Sequence, residues 1–89
     1  MLRRRVAVTG MGVVASCGIG TDAFWEGLCG DAPEGDRRVH DFDPSPHFDN
    51  PKEVRRSDRC TQFAIAAADM ALEQAGTLTA DSFRQGVFI

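Results

Sequence analysis

Eighty-nine residues, 43% hydrophobic and 26% charged, make at most one small domain and exclude wholesale disorder. A net charge of −3 argues against a generic nucleic-acid binder, and no run of about 18 apolar residues is present to cross a membrane. Cys17, Cys29 and Cys60 form no CxxC and stand apart from His40 and His47. That spacing points to three reduced thiols in a cytoplasmic protein rather than a zinc site or a disulfide framework.

Arg3-Arg4-Arg5 leads into Val6-Ala-Val-Thr9, apolar on both faces as a buried parallel strand would be. Gly10, Gly12, Gly18 and Gly20 then predict a loop. Gly10-Met-Gly12-Val-Val-Ala15 fits a dinucleotide fingerprint, which needs a helix opening at the second glycine and an acid about 20 residues on. Ser16, Gly18 and Gly20 oppose that helix, and Glu34 and Asp36 sit in a Pro/Gly loop. A lipoprotein-type export signal ending at Cys17 is the second reading, but Thr9, Gly10 and Gly12 dilute its apolar core. The third is structural: the glycines let the chain turn sharply and pass close to neighbouring backbone.

Thr21 is the expected N-cap of a helix over 22–29, with Phe24 and Leu28 on one face, Trp25 beside them and Gly30 as a left-handed stop. Residues 31–50 hold Pro33, Pro44 and Pro46 without periodicity, and long loops of this kind are often functional. Asn50-Pro-Lys-Glu53 reads as a helix start, with Glu53 reaching back, and Ser57-Asp58 as a second start. A short helix over 51–56 followed by a kink or restart is the expectation. From Asp58 to Ala75 two apolar stripes appear: Cys60, Phe63, Ala64, Ala67 and Ala71, and then Ile65, Ala68 and Leu72. Such a helix expects close packing on both sides, and Gly76 ends it. A connector over 77–85 leads to Gly86-Val-Phe-Ile89, which reads as a strand cut short. The predicted order is β-α-loop-α-β, a right-handed crossover with a large insertion.

Several ordered blocks resemble the opening of β-ketoacyl-acyl-carrier-protein synthases of bacterial fatty acid or type II polyketide synthesis. They are Arg5-Val-Ala-Val-Thr-Gly-Met-Gly-Val-Val14, Phe24-Trp-Glu-Gly-Leu28, Phe42-Asp-Pro44, Lys52-Glu-Val-Arg-Arg-Ser-Asp-Arg59, Thr61-Gln-Phe-Ala-Ile-Ala-Ala-Ala68 and Ala71-Leu…Ala75-Gly76. The resemblance implies an α/β fold: the N-terminal fragment of a thiolase-like αβαβα sandwich, with residues 1–89 an incomplete N-terminal synthase domain and no complete second domain. It implies decarboxylative Claisen condensation of an acyl thioester with malonyl carrier protein, through a cysteine thiolate, with no metal and no other cofactor. It also implies a homodimer or heterodimer, and neither nucleic acid nor membrane as partner. The family nucleophile and its two histidines match no block here, so this chain by itself is expected to be inactive.

By the same resemblance Lys52, Arg55 and Arg56 match positions that contact acyl carrier protein, an acidic partner carrying a phosphopantetheine arm. Complementary charge would steer such a partner. The plainer reading is a solvated turn with Glu53 and Asp58 pairing the arginines. Asp58 and Arg59 are otherwise assigned to a structural ion pair or subunit contact, Cys60 to the core, and His40 and His47 to solvated loop. Where relatives have a Thr-Pro-Leu-Gly-like turn, this chain has Ala15-Ser-Cys-Gly18, and the insertion before Lys52 is shorter than usual. The alternatives in function are a non-catalytic partner resembling a chain-length factor, and a stand-alone carrier-binding piece.

Overall fold

The computed structural model describes residues 3–31, 35–76 and 79–88. Pro33, Glu34, the start of the predicted connector and Ile89 lie outside the described residues. The three helices follow from local chemistry. Helix α1 spans Thr21–Cys29, α2 Pro51–Arg56 and α3 Arg59–Ala75.

The restart between α2 and α3 is as expected. Asn50 is extended and its side-chain oxygen accepts the Lys52 N–H at 3.0 Å, with Pro51 at the first helical position. Ser57 and Asp58 return to extended backbone, and Asp58 Oδ1 accepts the Thr61 N–H at 2.8 Å to open α3. The Glu53 link to Asn50 is made by backbone, Glu53 N–H to Asn50 O at 3.0 Å, not by the side chain. At α1 the cap is Gly20, whose φ of 89° swings the chain into the helix and places Thr21 inside the first turn. Gly30 closes α1 at φ −86°, so the stop is not left-handed; its N–H still reaches Glu26 O at 3.1 Å.

The predicted strands are corrected. Val6–Thr9 pairs with nothing among the described residues, and Val6 and Val8 are exposed. Gly86–Phe88 is likewise unpaired, after a 3₁₀ turn at Ser82–Arg84. A parallel strand has no hydrogen bonds of its own and exists only beside a neighbour. The one sheet among the described residues is a small antiparallel hairpin inside the predicted loop, β1 (Val14–Ala15) with β2 (Gly18–Ile19), in register Val14 to Ile19 and Ala15 to Gly18. The chain is mixed helix and sheet, in the order β-β-α-α-α.

The glycine-rich stretch lies on α3 by backbone contact. A Cβ on Gly10 would overlap the Ala71 carbonyl, and one on Gly12 the Ala67 carbonyl. Met11 N–H also donates to Gln74 Oε1 at 2.7 Å. Of the three readings of this stretch, close backbone approach is the observed one: no helix opens at Gly12, and α1 starts at Thr21.

Helix α3 is covered along one stripe. Ala66 is fully buried, Gln62 nearly so, and Phe63, Ala67, Met70 and Ala71 are half-buried. Cys60 and Ala64 are exposed, which corrects the core assignment of Cys60. The seam is centred one position earlier than the predicted stripe because the loop at Phe42 and the Gly10–Gly12 segment approach from that side. The second stripe stays open, with Leu72 51% exposed. The accessible surface is 7977 Å², against about 5,100 Å² for a folded monomer of this mass. None of the described helices is long and apolar enough to cross a membrane.

Candidate functional site

The basic residues sit where a short, well-capped helix puts them. Lys52, Arg55 and Arg56 are all exposed on α2, and no carboxylate of a described residue lies within ion-pairing distance of them. The pairing with Glu53 and Asp58 is therefore absent: Asp58 caps α3, and Glu53 uses its backbone. At about 100° per residue, Arg55, Lys52 and Arg56 form one continuous stripe, with Glu53 to its far side.

What holds that turn in place is a cluster that sequence reasoning missed. Gln62 Nε2 donates to Val54 O at 3.0 Å and to Ser57 O at 3.2 Å, tying the end of α2 to α3. Arg59 Nη1 donates to Gln62 Oε1 at 3.1 Å and to Phe42 O at 3.3 Å. The Arg59 guanidinium lies 5.4 Å from the Phe42 ring centre and 5.2 Å from that of Phe63, and the two rings pack tilted at 57° with centres 5.5 Å apart. Arg59 is thus a clamp on the loop rather than half of an ion pair with Asp58. A glutamine inside an alanine stripe was the available signal, because a buried amide needs partners.

His47 corrects the solvated reading, whereas His40 is exposed as expected. His47 Nδ1 meets Asp69 Oδ2 at 2.6 Å, and its ring stacks on Phe42 at 6.2 Å. This ties the 3₁₀ turn Ser45–His47 to the middle of α3. His40 Nε2 contacts the Asp36 carboxylate at 3.0 Å on the surface. Cys17 and His40 line one cleft with Arg38 and Asp41. The Cys17 thiol faces the Phe24 carbonyl at 4.0 Å, however, and His40 is engaged by Asp36. No thiol–imidazole hydrogen bond forms among the described residues. All three cysteines are free, and no group of three or more potential metal ligands clusters among the described residues.

Three carboxylates are held below their ordinary range. The Thr61 N–H does this for Asp58, the Ser45 N–H for Asp43, and the Arg38 N–H followed by His40 for Asp36. A lowered folded pKa gives stability that is present above the unfolded value of 3.8 and lost as pH falls through the folded one. Far-UV circular dichroism should therefore be flat from neutral pH down to about 4 and lose helical signal below it. Asp58→Asn should keep the α3 cap while removing its share of that acid dependence. A helical signal unchanged to pH 2 would contradict this account.

Comparison with known proteins gives the family. The polyketide β-ketoacyl synthase 1 of Streptomyces cyaneus is 46% identical over 84% of this chain and 21% of its own length. The protein of that name from Streptomyces halstedii is 39% identical over 99% and 25%, and the actinorhodin polyketide β-ketoacyl synthase 1 of Streptomyces coelicolor 41% over 97% and 22%. The chain thus spans about a fifth to a quarter of the length of the curated relatives it matches. A differently numbered protein of S. halstedii, polyketide β-ketoacyl synthase 2, also matches at 39% over 88% of the chain. The alignment to the S. halstedii synthase 1 runs over 105 positions against a chain of 89 residues, so that relative carries extra residues within the matched region. No family model matches the chain, and no solved structure matches it.

Proposed function

The chain is a β-ketoacyl synthase-like family member, and from that premise we propose that it supplies scaffold and a carrier-protein docking turn to a polyketide condensing enzyme. In this reading residues 1–89 are the first part of a thiolase-like domain. The open face of α3 and the unpaired Val6–Thr9 and Gly86–Phe88 segments are surfaces that the rest of a synthase covers in a homodimer or heterodimer. The excess accessible surface supports this, together with the exposed side chains of Val6, Val8, Leu72, Val87 and Phe88, since apolar groups left open in this way mark an interaction surface.

The reaction of the assembled enzyme is decarboxylative condensation. A thiolate outside this chain's matched blocks takes the acyl group, and a malonyl thioester loses CO₂ and attacks it. Cys17, Cys29 and Cys60 have no such role here: one faces a backbone carbonyl and the others lie on open helix surface. The chain alone is inactive in condensation.

One observation carries the docking assignment: three exposed cations, without carboxylate partners among the described residues, on a six-residue helix of a chain whose net charge is −3. Such a turn attracts an acidic partner by long-range charge. Arg55→Glu combined with Arg56→Glu should weaken binding of purified acyl carrier protein roughly tenfold or more at low salt and flatten its salt dependence. In an assembled synthase the same change should raise KM for carrier-bound substrate. Identical binding curves for wild type and the double variant would remove the assignment.

A second reading is kept because the two S. halstedii proteins numbered 1 and 2 match with equal 39% identity. In it the chain belongs to a non-catalytic partner subunit. Iodoacetamide labelling of an assembled complex, with loss of condensation on labelling of this subunit, would decide for the catalytic one.

A further inference from the structure

Beside the basic stripe is a notch that the charges do not explain. Ser45, Phe48, Pro51, Val54 and Arg55 line a recess of about 280 Å³. That is just under the roughly 300–1,000 Å³ of small-molecule sites, so a single protruding side chain suits it. Its floor is apolar: Phe48 and Val54 are half-buried, and Pro51 completes the wall. Its position follows from helix geometry. Val54, Pro51 and Arg55 occupy neighbouring angular positions on α2, and the stripe Arg55, Lys52, Arg56 continues in the same sense. Arg55 belongs to both. Apolar recess and basic stripe are therefore one contiguous surface, and Glu53 flanks the stripe beyond Arg56, on the side away from the recess.

We infer that this notch receives one apolar side chain of an acidic helical partner whose carboxylates lie on the Arg55–Lys52–Arg56 stripe. Charge complementarity selects the occupant. A neutral peptide would leave three cations unmatched at the rim, and a second copy of this acidic chain would bring like stripes together around a two-fold axis. The inference rests on the carrier-docking reading and adds a division of labour: the stripe sets the encounter, and the notch sets how long the partner stays. Steering charges act on association and its salt dependence, whereas a desolvated anchor acts on dissociation.

The test is titration of ¹⁵N-labelled acyl carrier protein with this chain at several salt concentrations. The variants are Ser45→Phe, which fills the notch from its exposed rim, and the Arg55→Glu, Arg56→Glu pair. Ser45→Phe should weaken binding about tenfold at every salt concentration, mainly through faster dissociation, with an unchanged salt slope. Val54→Ala, which enlarges the notch, should weaken it by less. Circular dichroism of both notch variants should match wild type. If the charge variants weaken binding while Ser45→Phe does not, the notch is idle and this inference falls alone. If wild type does not bind carrier protein, the docking reading and this inference fall together.

Discussion

Gly12→Val should undock the glycine-rich segment from α3, at a cost of about 3 kcal/mol. The first atom added at this position meets the Ala67 carbonyl, which is helix backbone and cannot swing aside as a side chain could. The contact is also one of few. Beyond Gly10 over Ala71 and the Met11 N–H bond to Gln74, little secures the hairpin and α1 to the long helix. The reporter is the Met11 amide, whose hydrogen exchange should accelerate sharply in the variant, with that of Gly20, whose N–H bonds Val13 O at 2.9 Å. Gly30→Ala is the control. Its φ is negative and its added Cβ would lie 3.4 Å from Glu26 O, an ordinary contact, so stability should hold or rise slightly. Equal exchange at Met11 in Gly12→Val and wild type would mean that the close approach does not hold the segment.

Local signals in the sequence were read correctly at the break between α2 and α3, though not at α1, where Gly20 rather than Thr21 is the cap and Gly30 is not left-handed. Asn50-Pro51 and Ser57-Asp58 each carry their own capping oxygen, so the break between α2 and α3 needs no tertiary contact to be predicted. The glycines at 10 and 12 and the alanines at 67 and 71 were legible as small residues, but their pairing across more than fifty positions was not. Strands failed for the complementary reason: Val6–Thr9 has the composition of a buried strand, and composition cannot supply the neighbour that makes it one. Similar limits apply to the site. The three cations were visible as a block, whereas of the residues that aim them Arg59 read as an ion-pair or subunit contact and Gln62 drew no assignment. His47 looked like loop because its partner, Asp69, is 22 residues away.

The second large effect is expected at Gln62. The residue is 9% exposed, and its amide is the only described side-chain donor to the carbonyls of Val54 in α2 and of Ser57 just beyond it. Leucine at this position fills similar space but leaves those carbonyls and one side of the Arg59 fork poorly matched. Each unmade bond to a buried group costs about 1–3 kcal/mol, and the Ser57 N–H already lies 3.3 Å from Val54 O. Gln62→Leu should therefore lose about 2 kcal/mol, read as a lower urea midpoint. Because the bond aims α2, the variant should also weaken carrier protein binding while Lys52, Arg55 and Arg56 remain in place. Gln62→Glu separates the causes. A carboxylate can still accept from Arg59, but it cannot donate to carbonyls and sets negative charge against the negative end of α2. If the donor function is what matters, glutamate should be worse than leucine despite the retained Arg59 contact. If glutamate instead restores wild-type stability, the arginine clamp alone holds the turn, and the amide link between α2 and α3 is incidental.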